Sequence, residues 1–186
     1  NDTPSYSVVG STPTDGSYTV TGSYGTLVLN ASTGAYTYSL NNTATAVQSL
    51  GGSSSVTETF SVQVTDGANT PAAQNLSFTV QGANDTPTVA NAISDQTVAE
   101  DSALSFQFAS NVFADVDSGD SLTYATTLSN GSALPSWLSF NAGTRTFSGT
   151  PSNGDVGSID VKVTATDGSA ASVSDSFALG VTNTND

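Results

Sequence analysis

Short runs in which apolar and polar residues alternate are the feature that most constrains the fold of this chain. They recur along the 186 residues, and no stretch carries a helical apolar period of useful length. The runs are residues 17–20, 26–29, 36–40, 60–64, 104–108, 159–163 and 177–181. Because successive side chains of a strand point to opposite faces, each run predicts a strand with one buried face. Gly, Asn, Asp and Ser separate the runs, which is typical of antiparallel β-sandwiches.

A repeated tetrapeptide predicts that the chain contains two modules. Asn-Asp-Thr-Pro stands at residues 1–4 and again at 84–87, and an Asn-Asp pair ends the chain at 185–186. Asp66 precedes Asp85 by 19 residues, and Asp167 precedes Asp186 by the same 19. Each interval between the Asn-Asp pairs has the size of a small β domain. We therefore predict an all-β chain of two tandem antiparallel sandwiches, with domains at 1–86 and 87–186.

The charge balance excludes several classes of partner. The chain has 16 acidic residues against only Arg145 and Lys162, which gives a net charge of −14. Binding to a phosphate backbone needs basic side chains, so we predict no nucleic-acid partner. No apolar run approaches the roughly 20 residues of a membrane-spanning helix, so we predict no membrane insertion. A chain this acidic repels itself unless a cation neutralises it.

Catalysis has few residues available. The chain contains no His and no Cys, which excludes a serine–histidine relay, a thiol nucleophile and a histidine zinc site. Paired carboxylates could hydrolyse glycosides, but an ion cage explains the same pairs better. We predict that the chain is not an enzyme. It also lacks Met, even at position 1, and we interpret it as a piece of a longer polypeptide.

Clusters of acidic residues predict calcium binding. Calcium prefers six to eight oxygen ligands, and Asp115, Asp117 and Asp120 place three carboxylates within one short segment. Like charges so close together need a reason, which a cation supplies. Asp66 and Asp167 precede glycines and could open turns, yet their fixed distance from the Asn-Asp pairs favours ligands. Other acidic residues are interpreted as solvated turn residues, namely Asp95, Asp160 and Asp175.

The second half resembles a dystroglycan-type cadherin-like domain of large bacterial surface proteins. The motifs that carry the resemblance are Val-Ala-Glu-Asp (98–101), Phe-Ala-Asp-Val-Asp (113–117), Ser-Leu-Thr-Tyr (121–124), Leu-Pro-Ser-Trp-Leu (134–138), Phe-Ser-Gly-Thr-Pro (147–151), Asp-Val-Gly (155–157) and Thr-Ala-Thr-Asp-Gly (164–168). They cover almost the whole half.

The first half resembles the VCBS-type repeat of bacterial RTX adhesins, which is also a cadherin-like sandwich. The matching motifs are Gly-Thr-Leu-Val-Leu (25–29), Gly-Ala-Tyr-Thr-Tyr (34–38), Glu-Thr-Phe (58–60), Val-Thr-Asp-Gly (64–67) and Gly-Ala-Asn-Asp (82–85). The polar segment 41–55 departs from the pattern. Together the two resemblances imply Ig-like or cadherin-like sandwiches of Greek-key topology.

In cadherins calcium lies between consecutive domains, and the resemblance carries this arrangement onto particular residues. The central junction would combine Glu58 of the first module, Asn84 and Asp85 of the linker, and Asp115, Asp117 and Asp167 of the second module. The far end of the second module would offer Glu100, Asp155, Asn183, Asn185 and Asp186 to a following domain. The start of the first would offer Asn1, Asp2 and Asp66 to a preceding one.

The resemblance implies a structural extender region of a large secreted adhesin of a Gram-negative bacterium. Calcium (Ca²⁺) would be its cofactor and stiffen the junction, and the parent protein would leave the cell by type I secretion and stay anchored at the outer membrane. The expected partners are flanking domains of the same polypeptide and a polysaccharide, host or biofilm surface, and the chain is expected to be a monomer.

Two rival functions remain open. One is a calcium-dependent carbohydrate- or partner-binding module, in which Trp137 or the tyrosines would form an exposed platform. A lone Trp in a sandwich more often belongs to the core, and strand alternation places Tyr36 and Tyr38 on one face as a core or cross-strand pair. The other rival is homophilic contact between cells.

Overall fold

The computed structural model describes residues 3–69 and 72–185. Contacts divide the chain into two compact units, Asn1–Asn84 and Asp85–Asp186. Strands make up nearly all of the regular structure in both units, which confirms the predicted all-β class. All the alternating runs of the sequence lie on strands, although the run at 104–108 extends one residue beyond its strand.

The first unit is built from two three-stranded antiparallel sheets. One contains β1 (Ser5–Val8), β5 (Ser55–Thr65) and β6 (Gln74–Gln81), and the other contains β2 (Ser17–Thr21), β3 (Gly25–Asn30) and β4 (Tyr36–Leu40). β1 pairs with β5 rather than with a strand next to it in sequence. A single helical turn, α1 (Thr45–Gln48), lies in the polar segment 41–55 that matched no sequence pattern.

The core of the first unit lies between its two sheets. Leu27 and Leu29 alternate along β3 and are both buried, as the period of two predicts. Across the core the ring of Tyr38 stacks on Phe78, with ring centroids 4.2 Å apart. Tyr36 also contacts Phe78, at 6.0 Å, so the prediction that the two tyrosines share a face is confirmed.

The second unit has a four-stranded and a three-stranded sheet, and a short two-stranded one. The strands are β7 (Thr88–Val89), β8 (Gln96–Ala99), β9 (Leu104–Gln107), β10 (Phe113–Ala114), β11 (Thr123–Leu128), β12 (Leu138–Asn141), β13 (Thr146–Gly149), β14 (Gly157–Thr166) and β15 (Ser172–Thr182). Their order is β11-β14-β15-β8 in the large sheet, β12-β13-β9 in the second and β10-β7 in the third. β8 runs parallel to β15, and the other pairs are antiparallel.

The core of the second unit lies between the two larger sheets. Val161 and Val163 of β14 are fully buried, as is Phe147 of β13 on the facing sheet. Phe147 meets Phe177 of β15 edge to face, with ring centroids 5.4 Å apart. Burial of each of these side chains contributes roughly 1.5–3 kcal/mol to the stability of the unit.

The strand order brings two acidic loops to the same end of the second unit. Thr123, the first residue of β11, pairs with Thr166, the last residue of β14. The loop that precedes β11 contains Asp115–Asp120, and the loop that follows β14 begins at Asp167. Because the two strands are antiparallel neighbours, these loops emerge side by side.

Candidate cation site

The first of the two loops curves around its own aspartates. Asp115 follows β10, and its Oδ1 accepts a hydrogen bond from the backbone N–H of Asp117 at 3.0 Å. The N–H of Asp120 points back to the carbonyl oxygen of Asp117, at 3.4 Å, and Gly119 adopts a φ of +90° that few other residues tolerate. The turn therefore brings together carboxylates that an extended strand would hold apart.

The second loop supplies Asp167. Its Oδ1 accepts hydrogen bonds from the backbone N–H groups of Ser169 (2.9 Å) and Ala171 (2.8 Å), which fixes the turn after β14. The residue is only 6% exposed. One carboxylate oxygen from each of Asp115, Asp120 and Asp167 lies within 4.8 Å of the others. Side chains from two separate loops thus converge on one small volume.

Two carboxylate oxygens of this cluster are buried without a hydrogen-bond donor. They are Oδ2 of Asp115 and Oδ1 of Asp117, and Asp117 is only 5% exposed. A buried charged oxygen without a partner is costly, by at least about 1–3 kcal/mol. A cation that coordinates both oxygens would remove that cost.

The segment that enters the second unit is tied to the same cluster. The backbone N–H of Asp85 donates to Oδ2 of Asp117 at 2.8 Å, and the side chain of Asp85 is half-buried. The two oxygens of Asp117 therefore differ, since Oδ2 holds the entering chain while Oδ1 has no donor. Pro87, which follows, is buried and restricts the backbone of Thr86 to extended conformations.

The crowding of charge is visible in Asp120. Partial removal of water raises the pKa of its carboxyl above the ordinary 3.8, and the charges of Asp115, Asp117 and Asp167 raise it further. Both causes disfavour the ionised form of this carboxyl relative to its protonated form. A divalent cation would reverse the balance.

The donor set fits calcium. All the available ligand atoms are hard oxygens, and carboxylates of this kind are the ligands calcium prefers. Asp115, Asp117 and Asp167 were predicted as ligands; the structure brings Asp115 and Asp167 together with Asp120, and Asp117 lies close enough for its charge to act on Asp120. Asp120 was named in the sequence as a third nearby acid but was not assigned to the junction, because spacing alone does not show that Gly119 turns the loop back. These four residues are hereafter the acidic cluster.

Glu58, which was also assigned to the junction, has a different environment. It lies on β5 in the first unit and is buried, and its carboxylate receives three hydrogen bonds. The donors are the backbone N–H groups of Tyr24 (2.9 Å) and Gly25 (3.1 Å) and the hydroxyl of Tyr38 (2.7 Å). Burial, followed by the hydrogen bond to Glu58 and its charge, raises the pKa of Tyr38 to about 12. Glu58 thus holds the β2–β3 turn in place, and its role as a calcium ligand stays a prediction.

Glu100 is the most buried of the acids assigned to the far end of the second unit. It is 3% exposed, its Oε1 accepts from the N–H of Thr184 at 2.6 Å, and its Oε2 is buried without a donor. Asp155 instead accepts from the N–H and hydroxyl of Ser152, which lowers the pKa of Asp155. Asn183 and Asn185 are exposed. At this end of the second unit, the described residues therefore show one orphaned carboxylate oxygen and no converging group of three acids.

The remaining assigned ligands divide into three cases. Asn84 is half-buried at the end of the first unit. Asp66 is exposed, and hydrogen bonds from the N–H groups of Asn69 and Ala68 lower the pKa of its carboxyl. Asp2 and Asp186, together with Asn1, lie outside the described residues.

The interpretation of Asp95, Asp160 and Asp175 as solvated turn residues needs correction for Asp160 and Asp175, whereas Asp95 is exposed and lies outside the strands. Asp160 and Asp175 lie within strands β14 and β15. Oδ2 of Asp175 accepts from the N–H of Ile93 at 2.7 Å, and Oδ1 of Asp95 accepts from the N–H of Ala178 at 2.8 Å. Asp95 and Asp175 therefore attach residues 93–95 to β15, a long-range contact that local sequence does not reveal.

Trp137 is half-buried and packs against the core, close to the core position expected for a lone Trp. Its ring lies over Gly149 of β13, where an added Cβ would be 3.2 Å from the ring atom Cε3 and would overlap the carbonyl oxygen of Trp137. The other side of the residue lines a groove of about 260 Å³ with Pro135, Asp155 and Val156.

Comparison with known families places this architecture. The family model described as "Putative Ig domain" matches residues 86–182, more than half of the chain, and the chain belongs to that family. A search of curated protein sequences returned no match.

Solved structures of cadherins share the fold. The human CDH23 EC21–23 structure aligns with a TM-score of 0.57 and 15% identity over 97% of this chain and 59% of that one. The structure of protocadherin gamma B2 domains 3–6 aligns with a TM-score of 0.56 and 17% identity, over 98% of this chain and 44% of that one. An endo-fucoidan hydrolase of glycoside hydrolase family 107 aligns with a TM-score of 0.46 and 16% identity, over 99% of this chain and 24% of the enzyme. The chain thus spans less than two thirds of each of these proteins, and such identities show the fold alone.

The family model defines an Ig-like domain over residues 86–182, and the solved structures show that the fold is shared with cadherin domains. Within the described part of the chain, no helix has the length and apolar character needed to cross a membrane.

Proposed function

We propose that this chain is a calcium-dependent structural extender segment of a secreted bacterial adhesin. The observation that carries the proposal is the pair of orphaned, buried carboxylate oxygens in the acidic cluster, Oδ2 of Asp115 and Oδ1 of Asp117. A net charge of −14 means that the chain as a whole favours bound cations. The two orphaned oxygens indicate where one cation would bind.

Calcium at the acidic cluster would hold the chain that enters the second unit. Asp85 already donates to Asp117, so an ion on the free oxygen of Asp117 fixes the residue that anchors the linker. Without the ion the carboxylates repel one another, and the loop and the entering segment loosen together. With it, the linker loses freedom and the two units tumble with less independence, which is what an extender requires.

The adhesin context rests on the family resemblance. The VCBS-like motifs of residues 1–86 and the cadherin-like motifs of 87–186 are typical of RTX adhesins, which leave the cell by type I secretion and act at the outer surface and in biofilms. Secretion in the unfolded state is compatible with a chain that lacks cysteine and therefore forms no disulfides. Calcium outside the cell would then stabilise the folded state by binding to it.

Isothermal titration of calcium into the whole chain tests the proposal. Asp117→Asn removes a ligand charge from the cluster, and we expect calcium affinity to fall at least about tenfold. Asp160→Asn, which removes the same charge from an exposed position on β14, is the matched control and keeps the wild-type affinity.

The two variants also separate binding from folding. In chelator, Asp117→Asn relieves repulsion within the cluster, so its melting temperature does not fall by more than a few degrees. The proposal fails if wild-type protein takes up no calcium at millimolar concentrations, or if Asp117→Asn and Asp160→Asn weaken binding equally.

A further inference from the structure

A second charged feature of the second unit is Arg145, whose charge is opposite in sign to that of the acidic residues. This residue is the only arginine of the chain. It ends the turn between β12 and β13, and its side chain lines a cleft of about 360 Å³ between that hairpin and the beginning of β11. The cleft therefore opens between edge strands of the two larger sheets.

The backbone holds Arg145 in a fixed position. Its φ of +55° is in the left-handed region, which costs an L-residue roughly 1 kcal/mol. Its carbonyl oxygen accepts from the N–H of Phe108 at 3.2 Å, and the side chain of Gln107 donates to the carbonyl of Thr144 at 2.7 Å. The turn is thus fastened to β9, and the guanidinium projects from a rigid base.

The guanidinium has no hydrogen-bond or ion-pair partner among residues 3–69 and 72–185. Nε of Arg145 is buried and meets no hydrogen-bond acceptor, and none of the described carboxylates forms an ion pair with the side chain. This is unexpected in a chain with 16 acids, any of which could offset the loss of water around an arginine. An anion from outside the chain would bind the terminal N–H groups of the guanidinium and offset its charge.

The walls of the cleft are suited to a compact ring. Leu122 and Tyr124 are half-buried and supply apolar surface, and the ring of Tyr124 is fixed edge-on against Phe108, with centroids 5.5 Å apart. The opposite wall is formed by Ala142 and Gly143, which carry little or no side chain. The hydroxyl of Tyr124 has no hydrogen-bond partner in the described part of the chain, so it is available to a ligand.

We propose that this cleft binds a carboxylate-bearing sugar of an acidic polysaccharide, with Arg145 on the carboxylate and Tyr124 against the sugar ring. The C–H face of a pyranose ring packs on tyrosine, and a guanidinium matches a carboxylate in a two-point contact. An acidic peptide fits less well, because strand addition needs a continuous edge and the cleft reaches only Thr123 and Tyr124 of β11. The proposal does not depend on calcium binding at the acidic cluster.

Nuclear magnetic resonance offers a selective test, since the chain has one arginine and one Trp. In calcium-saturated protein, a galacturonic acid trisaccharide should shift the single Arg145 Nε–Hε signal and the amides of 122–124 and 142–145 in a saturable manner. A neutral galactose trisaccharide should bind at least about tenfold more weakly. The indole signal of Trp137, which lines a different groove, should stay in place.

Variants complete the test. Arg145→Gln should abolish the shifts of 122–124, Arg145→Lys should weaken binding about tenfold by losing the two-point contact, and Lys162→Gln should bind as wild type does. Amide spectra establish whether each variant is folded. If Arg145→Gln does not fold, the loss of affinity in Arg145→Lys provides the test. The proposal is overturned if no saturable shift occurs up to about 10 mM ligand, a concentration at which even millimolar affinity would be visible. It is also overturned if neutral and acidic sugars bind equally, if triglutamate alone shifts the Arg145 signal, or if only the Trp137 indole responds.

Discussion

At the scale of single residues, the acidic cluster and Glu58 show two ways in which a protein accommodates buried carboxylates. Glu58 receives three hydrogen bonds from its own unit and needs no further partner. Asp115 and Asp117 each keep one buried oxygen without a donor. The first arrangement is characteristic of a structural contact, and the second of a site that a cation completes.

The raised pKa of Asp120 predicts an unusual dependence of stability on pH. Without calcium, the folded chain binds a proton on Asp120 at pH values where the unfolded chain has lost it, since the unfolded pKa is near 3.8. The contribution of Asp120 to stability in chelator therefore rises as the pH falls from above the raised pKa toward the ordinary value. Calcium needs the ionised form, so calcium affinity falls over the same window. Urea unfolding from pH 7 downward measures the first trend, and titration calorimetry the second.

Asp120→Asn should remove this contribution, so that its stability in chelator gains less on acidification than that of wild type. Asp160→Asn is again the control for charge. Parallel pH profiles for wild type and Asp120→Asn would contradict the assignment of the effect to Asp120.

Glu58→Gln should destabilise the first unit whether or not calcium is present. An amide can accept only through its oxygen, and its NH₂ group would face a backbone N–H of Tyr24 or Gly25. We expect a loss of about 2–3 kcal/mol, against about 1 kcal/mol for Tyr38→Phe, which removes only the hydroxyl. Circular dichroism during urea unfolding in chelator measures both. If Glu58→Gln instead unfolds like wild type and lowers calcium affinity, Glu58 is a metal ligand and the structural role is wrong.

At the scale of elements, the period of two identified seven strands, β2 to β5, β9, β14 and β15, because one face of each is buried in a sandwich core, but it did not identify β6 or β11. It did not reveal the shortest strands, β7 and β10, since two residues cannot show a period. The attachment of residues 93–95 to β15 through Asp95 and Asp175 was also missed. Such contacts join residues more than 80 positions apart, and nothing local in the sequence indicates them.

The β12–β13 hairpin depends on a glycine under Trp137. A Cβ at position 149 would overlap the carbonyl oxygen of Trp137, which is backbone and cannot move without opening the pair Leu138–Gly149. Gly149→Ala should therefore destabilise the second unit by about 2–3 kcal/mol. Gly143→Ala in the exposed turn, where the nearest atom is 3.5 Å away, should cost less than about 1 kcal/mol. Trp137 fluorescence during urea unfolding reports this unit, and equal losses for the two variants would contradict the packing argument.

At the scale of the whole molecule, all four residues of the acidic cluster belong to the second unit. Calcium should therefore stabilise that unit directly, by about 2.7 kcal/mol at a concentration 100 times the dissociation constant. Hydrogen exchange followed by mass spectrometry should show the largest gain in protection at 85–120 and 167–171. The β2–β4 sheet of the first unit should change little. Equal protection of both units, or none, would contradict this placement of the site.

The sequence predicted some members of the acidic cluster and missed another. Asp115, Asp117 and Asp167 could be assigned from the cadherin resemblance, because motifs fix which loop each residue occupies. Asp120 could not, since its place depends on the turn at Gly119, and the donors to Glu58 depend on the β2–β3 turn lying against β5. Hydrogen-bond satisfaction, which separates a structural carboxylate from a ligand, is a property of three-dimensional packing.

A crystal structure of the chain grown in millimolar calcium tests the central claim most directly. It should show an ion coordinated by Asp115, Asp117, Asp120 and Asp167 at calcium–oxygen distances of about 2.3–2.6 Å, with Oδ1 of Asp117 and Oδ2 of Asp115 among the ligands. If these carboxylates bind only water at saturating calcium, or if the ion lies elsewhere and leaves both orphaned oxygens unmatched, the acidic cluster is not a calcium site.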